Sequence, residues 1–520
     1  MTEQPNFLFI ITDQQRADWL GCAGHPVLKT PNIDRIADQG VRFEGMHVAS
    51  PVCMPNRASL MTGRMPSAHG LRYNGCALDD AANTFVDVLA AGGYHTAALG
   101  KSHLQPFLDT PPLRDAPPQG QLIAEAWKDS GADYTQEEPG RYAPDGRHAL
   151  PLPYYGFQEV DMVTQHGDRC GGHYHQWFRE TAPDWAALQD PANELGHDYT
   201  CPQAFRTPIP EELYSTTYIA DSACRYLNGR KGNDQPFFAF VSFPDPHHPF
   251  NPPGRYWDMY DPEHFTLDLP YEAHENPPPP LAFMRSHWEA GGKAVTAATA
   301  IYAEDKELRE AMALTAGMIA MIDDAVGRIM EALENSGHAH NTVVIFTSDH
   351  GDYLGDFNLL FKGVVPTRSI NRVPFLWSDP TGQSGTVSQA LASSVDVPAT
   401  ILDRAGLVPF NGMQGKSFLD SIRTGTAHRD EVLIEFNDLG PRLGFEAPAR
   451  VRSLVTSDWR YSHYKDQPFG ELYNLKSDPK ETRNLWDEPE CAAQKSALAD
   501  RMIHHLTAQM DESPLANRLS

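Results

Sequence analysis

Basic charge is what this chain has least of. Against 68 Asp and Glu it carries 42 Lys and Arg, a formal net charge of −26 with its 22 histidines counted as neutral. A field of that sign repels phosphate backbones and anionic headgroups, so nucleic-acid and membrane partners are not expected. Broad capture of a sulfated polysaccharide is disfavoured for the same reason, and an anionic substrate would need a local cluster of cations. Long apolar runs are also missing: residues 7–11 make a run of strand length, and nothing reaches the length that crosses a bilayer. MTEQPNFLFIITDQQ has no basic region leading into a long apolar segment and a small-residue cleavage site, so a cytoplasmic location is expected. The seven cysteines are odd in number and include no CxxC pair, which argues against a disulfide framework. Internal repeats and extended low-complexity tracts are absent too.

What remains is an ordinary globular composition, 41% apolar and 21% charged, in 520 residues, enough for one large domain and a smaller one. Apolar runs of strand length occur at residues 7–11, 96–99, 237–243, 343–346 and 373–377, with helical patterns between several of them. The clearest helix carries Leu314, Met318, Ile322, Val326, Ile329 and Leu333 on one face. Buried strands alternating with amphipathic helices predict an α/β fold with an open, mostly parallel sheet. Past Ala405-Gly406 the rhythm changes. Strands at 451–455 and 459–464 and a final helix near 491–510 predict a small α+β carboxy-terminal subdomain. The expected division is 1–425 and 426–520. Proline-rich stretches at 106–118 and 277–280 read as surface loops. Residues 108–198 have little periodicity and many Pro, Gly and aromatic residues, including Tyr154, Tyr155, Phe157, Tyr174, Trp177 and Phe178. They read as an irregular insertion that shapes a substrate pocket.

Four predicted strands run straight into polar, metal-capable residues: Asp13-Gln14, Lys101-Ser102-His103, His247-His248 and Asp349-His350-Gly351. In open parallel sheets ligands bind beyond the carboxyl ends of the strands, where loops converge on one edge. Singly, Asp13 and Asp349 read as helix caps. Together with Gln14 and His350 they offer two carboxylates, an amide oxygen and an imidazole, a set suited to one hard divalent cation. Calcium, magnesium or manganese would suit the oxygen donors and the imidazole tilts toward manganese; calcium is the expected ion, with manganese the alternative.

A second feature is Cys53-Met54-Pro55-Asn56-Arg57-Ala58-Ser59-Leu60-Met61-Thr62-Gly63-Arg64. A lone cysteine is usually a small buried hydrophobe. Here a helix starting near Pro55 would turn its amino-terminal dipole toward an anion, with Arg57 adding positive charge one turn away.

That segment resembles the signature of type I sulfatases, members of the alkaline phosphatase superfamily. So do TDQQRADWLGCAGHPVLKTPNIDRIADQGVRF, GKSHL, PHHPF, SDHGDYLGD, Lys362-Gly363 and ELYNLKSDPKETRNL, in that order along the chain. The resemblance implies an alkaline-phosphatase-like sheet and a sulfate monoester hydrolase; the aromatic-rich insertion would suit an aryl or other small organic sulfate, with choline sulfate and sugar sulfates also open. It implies that Cys53 is oxidised to formylglycine by a formylglycine-generating enzyme, and that Asp13, Gln14, Asp349, His350 and residue 53 hold the cation. Arg57 would stabilise residue 53, while Lys101, His103, His247 and Lys362 would surround the sulfate. Two positions depart from the common pattern: Gln14 stands where many sulfatases have a second Asp, and Asn56 where CxPSR has Ser. Asn74 is a candidate substrate contact. His173 and His175, spaced i,i+2 on an expected loop, are candidates for the pocket wall. Two alternatives stay open: a phosphonate monoester hydrolase or phosphodiesterase with the same nucleophile, and a non-catalytic anion-binding relative. Relatives of the phosphonate kind also pair Asp with Gln at the metal but tend to lack the Lys/His pair of GKSHL. Oligomeric state is open, a homo-oligomer included.

Overall fold

A computed structural model describes residues 4–108, 110, 130–292 and 299–518. Residues 109 and 111–129, which belong to the expected proline-rich loop and pocket insertion, lie outside the described residues. The strands are β1 (Asn6–Thr12), β2 (Val41–His47), β3 (His95–Lys101), β4 (Glu159–Thr164), β5 (Gly171–Gly172), β6 (Phe237–Ser242), β7 (Ile301–Tyr302), β8 (Thr342–Ser348), β9 (Leu359–Leu360), β10 (Phe375–Ser378), β11 (Thr386–Ser393), β12 (Glu431–Asn437), β13 (Arg450–Thr456), β14 (Trp459–Tyr464) and β15 (Gly470–Asn474).

Nine of them form the central sheet in the order β11-β2-β10-β8-β1-β6-β3-β4-β5. Every residue of β1 is buried. Its alternate side chains feed two cores: Phe7, Phe9 and Ile11 on one face, Leu8 and Ile10 on the other. That is why the run reads as continuously apolar, since a sheet covered on both faces needs no polar alternation. β8, β1, β6, β3 and β4 are parallel neighbours. β10 runs antiparallel to both β8 and β2, and β5 antiparallel to β4, so the sheet is mixed although mostly parallel. The two reversals at β10 restore β2 to the direction of β1. All the strands that precede candidate site residues therefore end on one rim.

The helix predicted around Leu314 spans Asp305–Ser336, with a capping box from Glu304 to Glu307 and Gly337 closing it at φ +85°. Its buried Asp323 accepts hydrogen bonds from the backbone N–H groups of Asn32 and Ile33, tying the start of helix Pro31–Asp38 to this longer helix. Beyond the central sheet, β12–β15 form an antiparallel four-stranded sheet in sequence order. The helix Ala492–Ala508 covers one of its faces through Leu498 and Met502, which pack with Leu454, Tyr461 and Leu472. Tyr464 packs toward the central domain and donates from its hydroxyl to the Val364 carbonyl at 3.2 Å. The smaller sheet thus buttresses the loop that carries Lys362. Among the described residues no helix is long and apolar enough to cross a membrane. All seven cysteines are unpaired.

Candidate active site

Asp13 and Gln14 leave β1, Lys101 ends β3, His247 and His248 follow β6, and Asp349 and His350 follow β8. The adjacency of β8, β1, β6 and β3 brings these four strand ends together. The segment after β2 adds the helix Cys53–Thr62, buried along its whole length and closed by Gly63 at φ +62°. It begins at Cys53 rather than near Pro55, so residue 53 itself lies in the first turn. Asn74 holds that turn: its Oδ1 accepts the Met54 N–H at 3.1 Å. Asn56 joins the helix to the rim, donating from Nδ2 to the Asp349 carbonyl at 2.5 Å and accepting the Ala49 N–H at 2.9 Å.

Cys53 Sγ lies 3.1 Å from His350 Nε2 and 3.7 Å from Asp13 Oδ1. His350 Nε2 is 3.4 Å from Asp13 Oδ1 and 3.7 Å from Asp349 Oδ1. One donor atom from each of Asp13, Cys53, Asp349 and His350 falls within 4.8 Å of the others. His350 Nδ1 is 2.8 Å from the Gly351 carbonyl, to which it donates, leaving Nε2 aimed at the carboxylates. Burial disfavours a charged His350, yet Asp349 and Cys53 leave its pKa above the ordinary imidazole value. Two carboxylates, a thiol and an imidazole so placed are a donor set that fits a divalent cation. Gly351 is required here by close approach, not by a left-handed turn: a Cβ would sit 1.8 Å from the Ser369 carbonyl oxygen.

Gln14 is oriented by three partners. Its side-chain N–H group donates to Asp352 Oδ2 at 2.6 Å and lies 3.2 Å from His248 Nδ1, while its Oε1 accepts from Lys362 Nζ at 2.6 Å.

Cations line the other wall. Lys101 Nζ pairs with Asp13 Oδ2 and donates to His166 Nε2 at 2.7 Å, and Lys362 Nζ donates to His247 Nε2 at 2.8 Å. His247 Nδ1 in turn donates to the His248 carbonyl at 2.5 Å, which fixes the tautomer. Burial would raise Asp13, but Lys101, His247, His166 and Arg57 hold it well below the usual carboxylate range. Burial and then Asp13 raise the Cys53 thiol, and Lys362, His350 and Lys101 bring it below its ordinary value. Arg57 donates from Nε to Asp349 Oδ2 at 2.7 Å and from Nη1 to Ser242 Oγ at 2.8 Å and the Lys101 carbonyl at 3.0 Å. Its Nη2, buried and 3.9 Å from Asp13 Oδ2, has no hydrogen-bond partner among the described residues. His103 stacks on Phe107 with ring centroids 3.8 Å apart, and its buried Nδ1 is likewise unpartnered.

Sequence reading missed His166. Its ring stacks on His247 at 3.6 Å and 11°, His247 stacks on His248 at 4.0 Å, and His248 meets Phe361 at 3.9 Å, a column of four rings. Asp13, His166 and His247 form a second group of convergent donors. The signal was available, since β4 also runs into a polar pair, Gln165-His166, but it lay inside a segment read as irregular. Gln14, His103 and Gln165 all have left-handed backbone, at φ +66°, +60° and +62°, so three of the strand exits turn sharply at the rim.

His173 and His175 belong to neither group. His173 accepts the Met162 N–H at 2.9 Å and donates to the His148 carbonyl at 3.0 Å, which spends both ring nitrogens, and His175 lies 3.1 Å from Gln189 Oε1. The aromatic residues of the insertion are mostly core: Tyr154, Tyr155 and Phe157 pack with one face of the sheet, Tyr174 and Phe178 with the other. They fill the layers rather than line an open pocket, because the insertion has to cover β4 and β5.

The profile of the family described as Sulfatase matches residues 5–407, which span every residue placed at this rim. The chain belongs to the sulfatase family. Residues 355–509 also match the family described as N-sulphoglucosamine sulphohydrolase, C-terminal. Over 99% of its length the chain is 28% identical to an arylsulfatase of Clostridium perfringens, covering 97% of that protein. It is 29% identical to the multifunctional alkaline phosphatase superfamily protein PehA of Trinickia caryophylli, over 96% of this chain and 95% of that one. The crystal structure of the phosphonate monoester hydrolase of Agrobacterium radiobacter superposes with a TM-score of 0.77 at 25% identity, covering 99% of this chain and 98% of that one. Sulfatase membership implies formylglycine and a divalent metal, and the cluster of Asp13, Cys53, Asp349 and His350 has the chemistry to hold that cation.

Proposed function

We propose that this sulfatase-family hydrolase cleaves a sulfate monoester of an aryl or other small alcohol, using the hydrate of a formylglycine derived from Cys53. The observation that carries the reading is the position of Cys53 Sγ, between His350 Nε2 at 3.1 Å and Asp13 Oδ1 at 3.7 Å, with two buried lysines on the facing wall. Sγ stands in for an oxygen of the hydrated aldehyde. The orphaned Arg57 Nη2 supports the exchange, because a donor with no partner beside a thiol gains one when residue 53 carries hydroxyl groups.

Asp13, Asp349, His350 and residue 53, with Gln14 through its amide oxygen, would hold the cation; calcium is the assignment and manganese the alternative. When bound, the cation supplies charge neutralisation and acidifies an adjacent hydroxyl. Lys101 and Lys362 counter the sulfate charge and hold the ester in line. One hydroxyl of residue 53 gives its proton to Asp349 and attacks sulfur, and the bond from sulfur to the ester oxygen breaks. His247 passes to the departing oxygen a proton supplied by Lys362, which donates to His247 Nε2. His103 takes the proton of the second hydroxyl; the carbon–oxygen bond to sulfate then breaks, sulfate leaves and the aldehyde is restored for rehydration. Asn74, which holds the first turn of the nucleophile helix, positions residue 53 and is a candidate substrate contact. The catalytic unit is assigned to residues 1–425 and the buttressing unit to 426–520.

A phosphonate monoester is the second reading. Gln14 at the cation cluster and the likeness to the A. radiobacter hydrolase favour it, while the Lys101/His103 pair favours sulfate. The test is co-expression with a formylglycine-generating enzyme and mass spectrometry of the peptide bearing residue 53. Side-by-side kinetics on 4-nitrophenyl sulfate and a 4-nitrophenyl phosphonate monoester then follow. A kcat/KM higher for sulfate is expected. A preference for the phosphonate reverses the assignment, and unmodified thiol with no turnover leaves only anion binding.

A further inference from the structure

β3 delivers Lys101 and His103 to the rim, and the chain turns there through the left-handed backbone of His103. Such a conformation persists in a non-glycine residue only where its surroundings hold it. The holder is a carboxylate from the insertion. Glu137 Oε2 accepts the His103 N–H at 2.8 Å, and Oε1 accepts the N–H groups of Leu104 at 2.9 Å and Gln105 at 3.0 Å. Tyr154 donates its hydroxyl to Oε1 at 2.7 Å. The neighbouring Gln136 N–H donates to Gln105 Oε1 at 2.9 Å, closing a second link between the two segments.

Glu137 is fully buried and makes no ion pair among the described residues. A carboxylate left without a cation in a protein interior is costly unless hydrogen bonds replace its hydration. Three successive backbone N–H groups converging on one point are an anion-binding nest, and here the anion is built into the chain. Burial pushes the Glu137 carboxyl above its ordinary value although every hydrogen bond pulls the other way, a cost that packing alone would not require. An apolar side chain would fill the space as well and leave three buried N–H groups unpaired.

We propose that Glu137 is a positioning residue: an internal anion whose carboxylate sets the backbone of residues 103–105 and thereby aims His103 at residue 53. The proposal rests on the assignment of His103 as the base that releases sulfate.

Its test combines a readout of the turn with a readout of turnover. Glu137→Ala and Glu137→Gln are compared with the parent protein for occupancy of formylglycine at residue 53 and for bound metal, both expected to be unchanged. Hydrogen exchange resolved to single residues should show the amides of 103–105 exchanging at least about tenfold faster in Glu137→Ala, with β12–β15 unaffected. On an aryl sulfate kcat should fall roughly ten- to hundredfold with little change in KM, and added formate, entering the vacated nest, should restore part of it. In Glu137→Gln the amide nitrogen faces the His103 N–H, so faster exchange centred on residue 103 is expected, and this variant carries the test should Glu137→Ala not fold. Unchanged protection at 103–105, faster exchange throughout the chain with no formate response, or released amides with full kcat would each overturn the proposal. A parent protein inactive on sulfate esters would instead remove the functional reading, while the exchange data would still decide whether Glu137 holds the turn.

Discussion

Arg57 and Arg460 are both buried arginines facing two carboxylates, and they lie in different regions of the molecule. In the carboxy-terminal sheet Arg460 donates from Nε to Glu481 Oε1 at 2.6 Å, from Nη2 to Glu471 Oε2 at 3.0 Å and from Nη1 to Ser462 Oγ at 2.9 Å. Its guanidinium covers the Tyr473 ring at 4.5 Å, so every donor group is engaged. At the central rim Arg57 spends Nε and Nη1 and leaves Nη2 unpartnered, near an Asp13 already claimed by Lys101. The first network is closed and has no capacity for a ligand. The second is open: an arginine donor and the His103 Nδ1 lack hydrogen-bond partners among the described residues, and each of two lysines turns a further N–H to an imidazole. Buried charge alone therefore does not mark function; what sets Arg57 apart is an unpartnered donor beside a group of convergent metal-capable side chains.

The largest effect that would sharpen this contrast comes from the open side. Cys53→Ala should lower kcat on an aryl sulfate by at least about 10⁴-fold, as removal of a nucleophile does, with the thermal midpoint nearly unchanged. An active Cys53→Ala protein would move the nucleophile elsewhere. On the closed side, Arg460→Met strips the partner from Glu471 and Glu481 and should cost about 3–5 kcal/mol of stability, read from urea unfolding. Its kcat per folded molecule should stay at the parental value; a matching loss of activity would erase the distinction between the two regions.

Arg57→Lys should keep the charge but lose the fork to Asp349 and Ser242. A fall in kcat of about a hundredfold is expected, with a thermal midpoint close to that of the parent.

The smallest effect concerns a third buried carboxylate, Asp396. Burial raises it, but the bidentate Arg429 and the adjacent His428 bring it from an ordinary 3.8 down to about 2. A folded pKa below the unfolded one means stability present above about pH 4 and lost as pH falls from there to about 2. The contribution at neutral pH is about 2 kcal/mol. Urea midpoints of the parent and of Asp396→Asn should therefore differ at pH 7 and converge toward pH 2, with kcat at pH 7 unaffected. A gap undiminished at pH 2 would show that Asp396 acts through its hydrogen bonds to the Ser393 and Lys416 N–H groups rather than through its charge.

Much of the rim was legible because each contributing strand is an unbroken apolar run ending at a polar residue. Asp13, Lys101, His247 and Asp349 could be placed from that transition alone. β4 was not legible: EVDMVT carries Glu159 and Asp161, and Asp161 is buried only because Tyr218, Ser222 and Arg147 from distant segments satisfy it. The antiparallel direction of β10 was hidden for a related reason, since a strand buried on both faces has the same composition whichever way it runs. Its direction follows from the path of the chain between β8 and β10, which carries Lys362 to the site before turning back. The aromatic insertion shows the converse error. Tyr154, Tyr174 and Phe178 look like pocket residues when listed by type, and only their burial against the sheet shows them as core.

The sequence by itself determined which chemical groups stand at the edge of the sheet, because strand length and the onset of polarity are local properties written into consecutive residues. The tertiary structure alone decided how those groups are set against one another: Gln14 Oε1 turned to Lys362, His166 stacked on His247, and Glu137 drawn from the insertion to hold the turn at His103. Those arrangements depend on partners far apart in the chain, and on hydrogen-bond directions that no local pattern of residues encodes.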